Sequence, residues 1–147
     1  MEKIKSPWLI NGIPINPDDI TQYYGFVYII TNLLDGKKYI GRKYLNSFRK
    51  RKGKTRRSKQ ESDWQTYWSS SKILQEQVKT LGEENFRREI LCLCKGKGST
   101  NYMEVKLQFL LGVLESEDFL NDNILGKYFA ERSKKYMLQE IKMYSAL

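Results

Sequence analysis

Two apolar runs joined across an Asp-Gly turn constrain this chain more than any other feature. The first is Gly25-Phe26-Val27-Tyr28-Ile29-Ile30 and the second is Tyr39-Ile40-Gly41, with Leu34-Asp35-Gly36-Lys37 between them. Aromatic and β-branched side chains suit a pleated, half-buried surface, and Asp-Gly supplies the backbone freedom of a tight turn. The pattern predicts an antiparallel hairpin over about residues 25–44. It would bring Tyr28 and Tyr39 together on a small sheet.

The segment after the hairpin carries a dense positive charge. Residues 42–59 hold Arg42, Lys43, Arg49, Lys50, Arg51, Lys52, Lys54, Arg56, Arg57 and Lys59, and no acidic residue. Self-repulsion predicts that much of this stretch stays mobile until phosphates neutralise it. The whole chain has a formal charge of +9 and a pI near 9.5. That balance points to a polyanion, DNA or RNA, as partner.

Further along, Ser69–Ser71 offers an N-cap, and Leu74, Val78 and Leu81 recur at helical spacing, so a helix is expected over 71–81. Gly82 is a plausible residue to end it. A third strand is expected over 85–94, a loop over Lys95–Ser99, and a second helix over 102–114 with Met103, Leu107, Leu110, Leu111 and Leu114 on its apolar face. The prolines at 7, 14 and 17 interrupt regular structure in an N-terminal arm of residues 1–22. A C-terminal amphipathic helix is expected from about 127. The order strand, strand, helix, strand, helix gives an α+β domain at 23–124, with a three-stranded antiparallel sheet flanked by helices.

Some chemistries are excluded. The chain has no histidine, so neither Ser-His nor Cys-His catalysis is available. Cys92 and Cys94 lie two apart on the third strand and read as small core residues. No apolar run approaches the ~20 residues of a bilayer span. No signal-peptide core opens the chain either, so an intracellular location is expected.

The two tyrosine triplets resemble those that name the GIY-YIG nuclease family. Ten residues, 29–38, separate Phe26-Val27-Tyr28 from Tyr39-Ile40-Gly41. The second triplet is intact. In the first, Phe26 stands where the family usually has glycine, and Val27 replaces isoleucine. The order of elements matches that family over about 25–123. The resemblance implies a metal-dependent endonuclease acting on DNA, similar to small free-standing enzymes of phages and mobile elements, which would place it in the host cell's cytoplasm if phage-encoded.

The resemblance also implies roles. Tyr28 would orient or deprotonate the attacking water, with Tyr39 in the same site. A free phenol has a pKa near 10, so Arg42 and Lys43 would have to favour its ionised form. Arg42 and Arg51 are assigned to the scissile phosphate, Arg49 being a close rival to Arg51. Glu104 would hold one Mg²⁺ or Mn²⁺, since one carboxylate plus waters suits such an ion. The competing reading makes Asn101 an N-cap and Glu104 its capping-box partner. Gly41, Lys43, Arg49, Lys50, Lys52, Lys54, Arg56 and Arg57 are expected on the nucleic acid. So are Trp64 and Tyr67, by stacking, with half-buried packing near the helix start the competing reading for them and for Trp68; Asn121 is expected there too, with Asn123 its rival.

Other classes stay open at this stage. A non-catalytic nucleic-acid-binding module would explain the basic run without needing Glu104. Restriction, repair and RNA-directed nucleases use related sites. A homodimer is attractive because cutting both strands needs two sites or two visits.

Overall fold

The computed structural model describes residues 6–50, 52–131 and 134. Strand β3 (Gly25–Asn32) pairs antiparallel with β4 (Lys38–Tyr44) from Gly25↔Tyr44 to Thr31↔Lys38. The predicted Asp-Gly turn closes the hairpin. Gly36 has φ +77°, and Asp35 accepts the Lys37 amide through its Oδ1. Strand β7 (Phe86–Cys94) lies on the other side of β3, also antiparallel. The β3–β7 register shifts between Val27 and Tyr28, a bulge beside the first tyrosine.

The sheet is larger than the sequence suggested. Its order is β2-β1-β7-β3-β4, five strands instead of three. The N-terminal segment supplies β1 (Trp8–Ile10), parallel to β7, and β2 (Ile13–Pro14), antiparallel to β1. Trp8 is the anchor. Its ring meets Phe26 edge-on at 5.0 Å, and its indole N–H donates to the Trp64 carbonyl. Arg88, 1% exposed, lies between the rings of Trp8 and Trp68 and donates to the carbonyls of Ser6 and Tyr67. Burial pushes this guanidinium down to about 10. It ties the first residues of the fold to the segment carrying Tyr67.

Period-2 alternation sorts the sheet's two faces. Phe26, Tyr28 and Ile30 face helix α1 (Lys72–Leu81) and pack with Trp8, Trp64, Leu74 and Val78. Phe26 therefore fills core space in this chain. Val27 and Ile40 face the other way, into a cluster with Val113, Leu114 and Ile124. Helix α1 starts at its Ser71 cap, whose hydroxyl accepts from the Leu74 amide, and Gly82 closes its end at φ +95°.

Helix α2 (Lys97–Leu110) begins earlier than expected. Gly96 is its N-cap, and Ser99 Oγ accepts the Gly96 amide. Glu104 is consequently in the middle of the helix, and the capping box with Asn101 is ruled out. The buried stripe of α2 is Thr100, Glu104 and Gln108, while Leu110 is 71% exposed. A polar face of this helix thus lies along β4, where an apolar face was expected.

Among the described residues, the basic run beyond β4 forms a ribbon. Strands β5 (Asn46–Lys50) and β6 (Arg57–Glu61) form their own two-stranded sheet over five cross-strand pairs. At the C-terminal side, β8 (Asn123–Ile124) and β9 (Tyr128–Phe129) make a small hairpin where the tail helix was expected to start. Of the rest of that expected helix only Ala130, Glu131 and Lys134 are among the described residues.

Candidate active site

β4 is the last strand of the sheet, and the site is built around its free edge. Tyr28 sits directly across from Gly41 in the β3–β4 register. A Cβ on Gly41 would press on the Tyr28 hydroxyl and lie 2.7 Å from its Cζ. The phenol therefore crosses above Gly41 to reach the edge, and only glycine leaves room for it. This packing role differs from the nucleic-acid contact expected of Gly41 from the sequence. Tyr39, two residues earlier on the same face, has its ring 6.4 Å from that of Tyr28, and Tyr67 stands edge-on to Tyr28 at 6.0 Å.

Tyr28 is buried and Tyr39 and Tyr67 are half-buried, and that governs their chemistry. Burial holds the Tyr28 phenol well above its ordinary pKa, with Tyr67 and Tyr39 adding to the effect. Tyr39 is raised by burial too, against a hydrogen bond with Ser70. Both are neutral phenols near neutral pH. The cations expected to ionise Tyr28 are already engaged. Lys43 Nζ is 2.5 Å from Asp63 Oδ1 and 3.9 Å above the Tyr67 ring. Arg42 is on the opposite face of the strand.

There Arg42 meets α2. Its Nη1 donates to Glu104 Oε1 at 2.5 Å, and its Nε donates to Tyr44 Oη at 3.2 Å. Tyr44 in turn donates to Asn101 Oδ1. Burial raises the Glu104 carboxyl above its ordinary value, while the charge, side chain and backbone amide of Arg42 pull it back. Burial works against the Arg42 charge, but Glu104 outweighs it and the guanidinium stays firmly protonated.

The edge beyond Gly41 is gripped by side chains. Asn121 Oδ1 accepts the Ile40 amide, and Asn121 Nδ2 and Gln108 Nε2 both donate to the Ile40 carbonyl. These bonds satisfy an edge strand that would otherwise be open for pairing. Asn121 is 3% exposed, so it positions β4 and offers little to a nucleic acid. Asn123 instead accepts the Gly126 amide in the β8–β9 turn.

Two clefts meet here. One of about 530 Å³ is lined by Tyr28, Gly41, Lys43 and Tyr67 and extends to the ribbon. The other, about 320 Å³, is bordered by Asn121, Asp122 and Asn123. Tyr39, Arg42, Ser70 and Glu104 belong to both. The two faces of β4 thus deliver phenols and a guanidinium–carboxylate pair to one groove.

The ribbon places Arg49, Lys50 and Arg57 on its strands and Lys52, Lys54 and Arg56 in its turn. Arg51 lies outside the described residues. Trp64 is 4% exposed with its ring against Phe26, and its indole donates to Glu61, so it is a core residue and not a stacking surface. Sequence reasoning missed Gln108, Tyr44 and Lys134. Only Gln108 had a signal, the four-residue spacing Thr100, Glu104, Gln108.

Metal fit can be judged from the donors. Among the described residues no cluster of three or more His, Cys, Asp or Glu is present. The groove offers the Glu104 carboxylate, which a metal would share with Arg42, the Asp122 carboxylate at its border and neutral hydroxyls, an oxygen-only set. That suits a hard ion that keeps most of its water, and not zinc.

A groove at the sheet edge, bordered by a cationic ribbon, thus holds phenols, a guanidinium and the carboxylates of Glu104 and Asp122. The chain belongs to the GIY-YIG endonuclease family: the family model described as "Putative endonuclease segE, GIY-YIG domain" matches residues 8–124, from β1 through β8. The protein is accordingly a DNA endonuclease, a phosphodiester hydrolase. No curated protein and no solved structure matches the chain. Among the described residues no helix is long and apolar enough to cross a membrane.

Proposed function

We propose that the protein is a divalent-metal-dependent endonuclease that cuts duplex DNA by in-line attack of water. Glu104 would hold Mg²⁺ or Mn²⁺, with water and phosphate oxygens completing its shell. Such an ion, when bound, supplies charge stabilisation at the phosphate. Arg42 binds the non-bridging oxygens, where its planar fork is best used. The hydroxyls of Tyr28 and Tyr39 orient the water. As neutral phenols they donate and accept hydrogen bonds without carrying the negative charge that burial disfavours.

The observation that supports this reading most is the passage of Tyr28 over Gly41 into the cleft that Arg42 and Glu104 enter from the other face. Glu104 supports it as well. Its charge is balanced by Arg42 in this structure, and release of that pair as Arg42 turns to a phosphate would leave the carboxylate to a cation. The resemblance to a segE domain supports a small free-standing enzyme of the phage intergenic or homing type. Restriction and repair are the competing roles on this fold. We include a homodimer on DNA, since two strands must be cut. A monomeric mass by light scattering, free and DNA-bound, counts against it.

Supercoiled plasmid tests the central reading. The expected result is nicking or linearisation with Mg²⁺ that EDTA abolishes. Plasmid binding without cutting under every divalent ion would favour a non-catalytic module.

A further inference from the structure

The β5–β6 ribbon has a geometry that general charge attraction does not require. It is fixed at its base to the edge strand of the site. Leu45, 3% exposed, is the single residue between β4 and β5. Its amide donates to the Tyr24 carbonyl, and the Ser62 amide donates to the Leu45 carbonyl. Ser62 Oγ donates to the Tyr44 carbonyl at 2.6 Å, and Phe48 stacks on Tyr24 at 6.2 Å. Ribbon residues Ser47, Phe48 and Arg57 line the same cleft as Tyr28 and Glu104. A duplex seated in the cleft must therefore meet the ribbon.

The cross-strand register gives the ribbon two unlike faces. Phe48 and Glu61 share one face with Lys50, Arg57 and Lys59. At its base this face is used by the protein, through Phe48 on Tyr24 and through Glu61 accepting from Trp64 and Gln65. The other face pairs Ser47 with Gln60 and Arg49 with Ser58. It holds one cation and three neutral hydrogen-bonding side chains. Phosphate grip alone would favour Lys and Arg there. Arg bidentate to guanine, Gln bidentate to adenine and Ser to either are the pairings that read base edges in the major groove.

Dimensions choose the groove. Two strands about 4.8 Å apart, with side chains, exceed a minor groove roughly 6 Å wide and fit a major groove of about 12 Å. Five rungs enclose four intervals of ~3.3 Å, about 13 Å or about four base-pair steps.

We propose that the β5–β6 ribbon enters the major groove of duplex DNA beside the scissile phosphate and reads sequence with Ser47, Arg49 and Gln60. Lys50, Arg57 and Lys59 grip the flanking backbone. This rests on the reading of the cleft as a DNA-cutting site.

Binding selection from randomised duplexes tests it without requiring cleavage, using the full chain with and without Arg49→Lys and Gln60→Ala. An enriched motif is expected for the parent protein. Arg49→Lys keeps the charge but loses the fork, so the salt dependence should hold while affinity for the motif falls about tenfold and the motif relaxes at one position. Replacing guanine in the motif with 7-deazaguanine, which removes a major-groove acceptor, should weaken binding about tenfold. Lys59→Ala should lower affinity for all sequences alike and reduce the salt slope by about 1. No motif, a motif unchanged by both variants, or sensitivity to inosine with none to 7-deazaguanine would overturn the proposal. A protein that selects a motif but cuts nothing leaves this inference standing and defeats the nuclease reading. One that cuts with no sequence preference does the reverse.

Discussion

Gly41→Ala should be destabilising in the native chain and harmless once the Tyr28 ring is gone. The added methyl would press on the Tyr28 hydroxyl, 2.7 Å from Cζ, and would lie 3.1 Å from Tyr39 Cε1. Tyr28 is 1% exposed and hemmed in by Trp8, Phe26 and Tyr67, so it has no free space to move into. Overpacking of this kind costs about 1–3 kcal/mol. In a Tyr28→Leu background the Tyr28 ring and hydroxyl are absent, and only Tyr39 Cε1, at 3.1 Å, must give by a few tenths of an ångström. The substitution then gains the ~0.5–1 kcal/mol by which alanine surpasses glycine inside a strand. The sign reverses, and the coupling between the two sites is about 1.5–4 kcal/mol. Urea unfolding of the four proteins measures it. Cleavage by Gly41→Ala should fall about 100-fold at unchanged DNA affinity, because a displacement of ~1 Å at a reacting centre costs that much. An equal penalty in both backgrounds would refute the claim that glycine is present to let Tyr28 pass.

Glu104→Gln should abolish cleavage yet bind DNA as tightly as the parent or more so, by filter binding, since a negative charge leaves the groove. Its stability has a defined pH dependence. A carboxyl whose folded pKa is raised binds more protons than the unfolded chain above the usual carboxylate range, so stability falls as pH rises through that window. Thermal melts from pH 4 to 7 should show this decline in the parent and lose it in Glu104→Gln. Lys134 donates to the carbonyls of Val113, Phe119 and Asn121 while 9% exposed. Lys134→Met leaves those acceptors unpaired and should cost about 1–3 kcal/mol in urea unfolding. It should also lower cleavage, because Asn121 grips β4 at Ile40.

The hairpin was legible because local signals agree there: apolar strands, an Asp-Gly turn, two aligned tyrosines. Helix α1 was legible for the same reason, with Ser71 and Gly82 marking its ends. The start of α2 was not. Lys95-Gly96-Lys97-Gly98-Ser99 reads as a loop, since two glycines disfavour helix, yet the Gly96–Ser99 cap starts one there. Apolar Met103, Leu107 and Leu110 also concealed the polar stripe that places Glu104 against Arg42. Strand β1 owes its place to a parallel pairing with a strand nearly eighty residues away, Trp8↔Arg88, which no local pattern announces. The ribbon was hidden by its composition, because strands dense in Lys and Arg lack the alternation that marks a half-buried sheet.

The most direct test of the account is single-turnover cleavage of a short labelled duplex at saturating protein, comparing the parent with Glu104→Ala in Mg²⁺. The account predicts a rate at least about 100-fold lower for the variant with DNA affinity retained. Equal rates for the two proteins would contradict it.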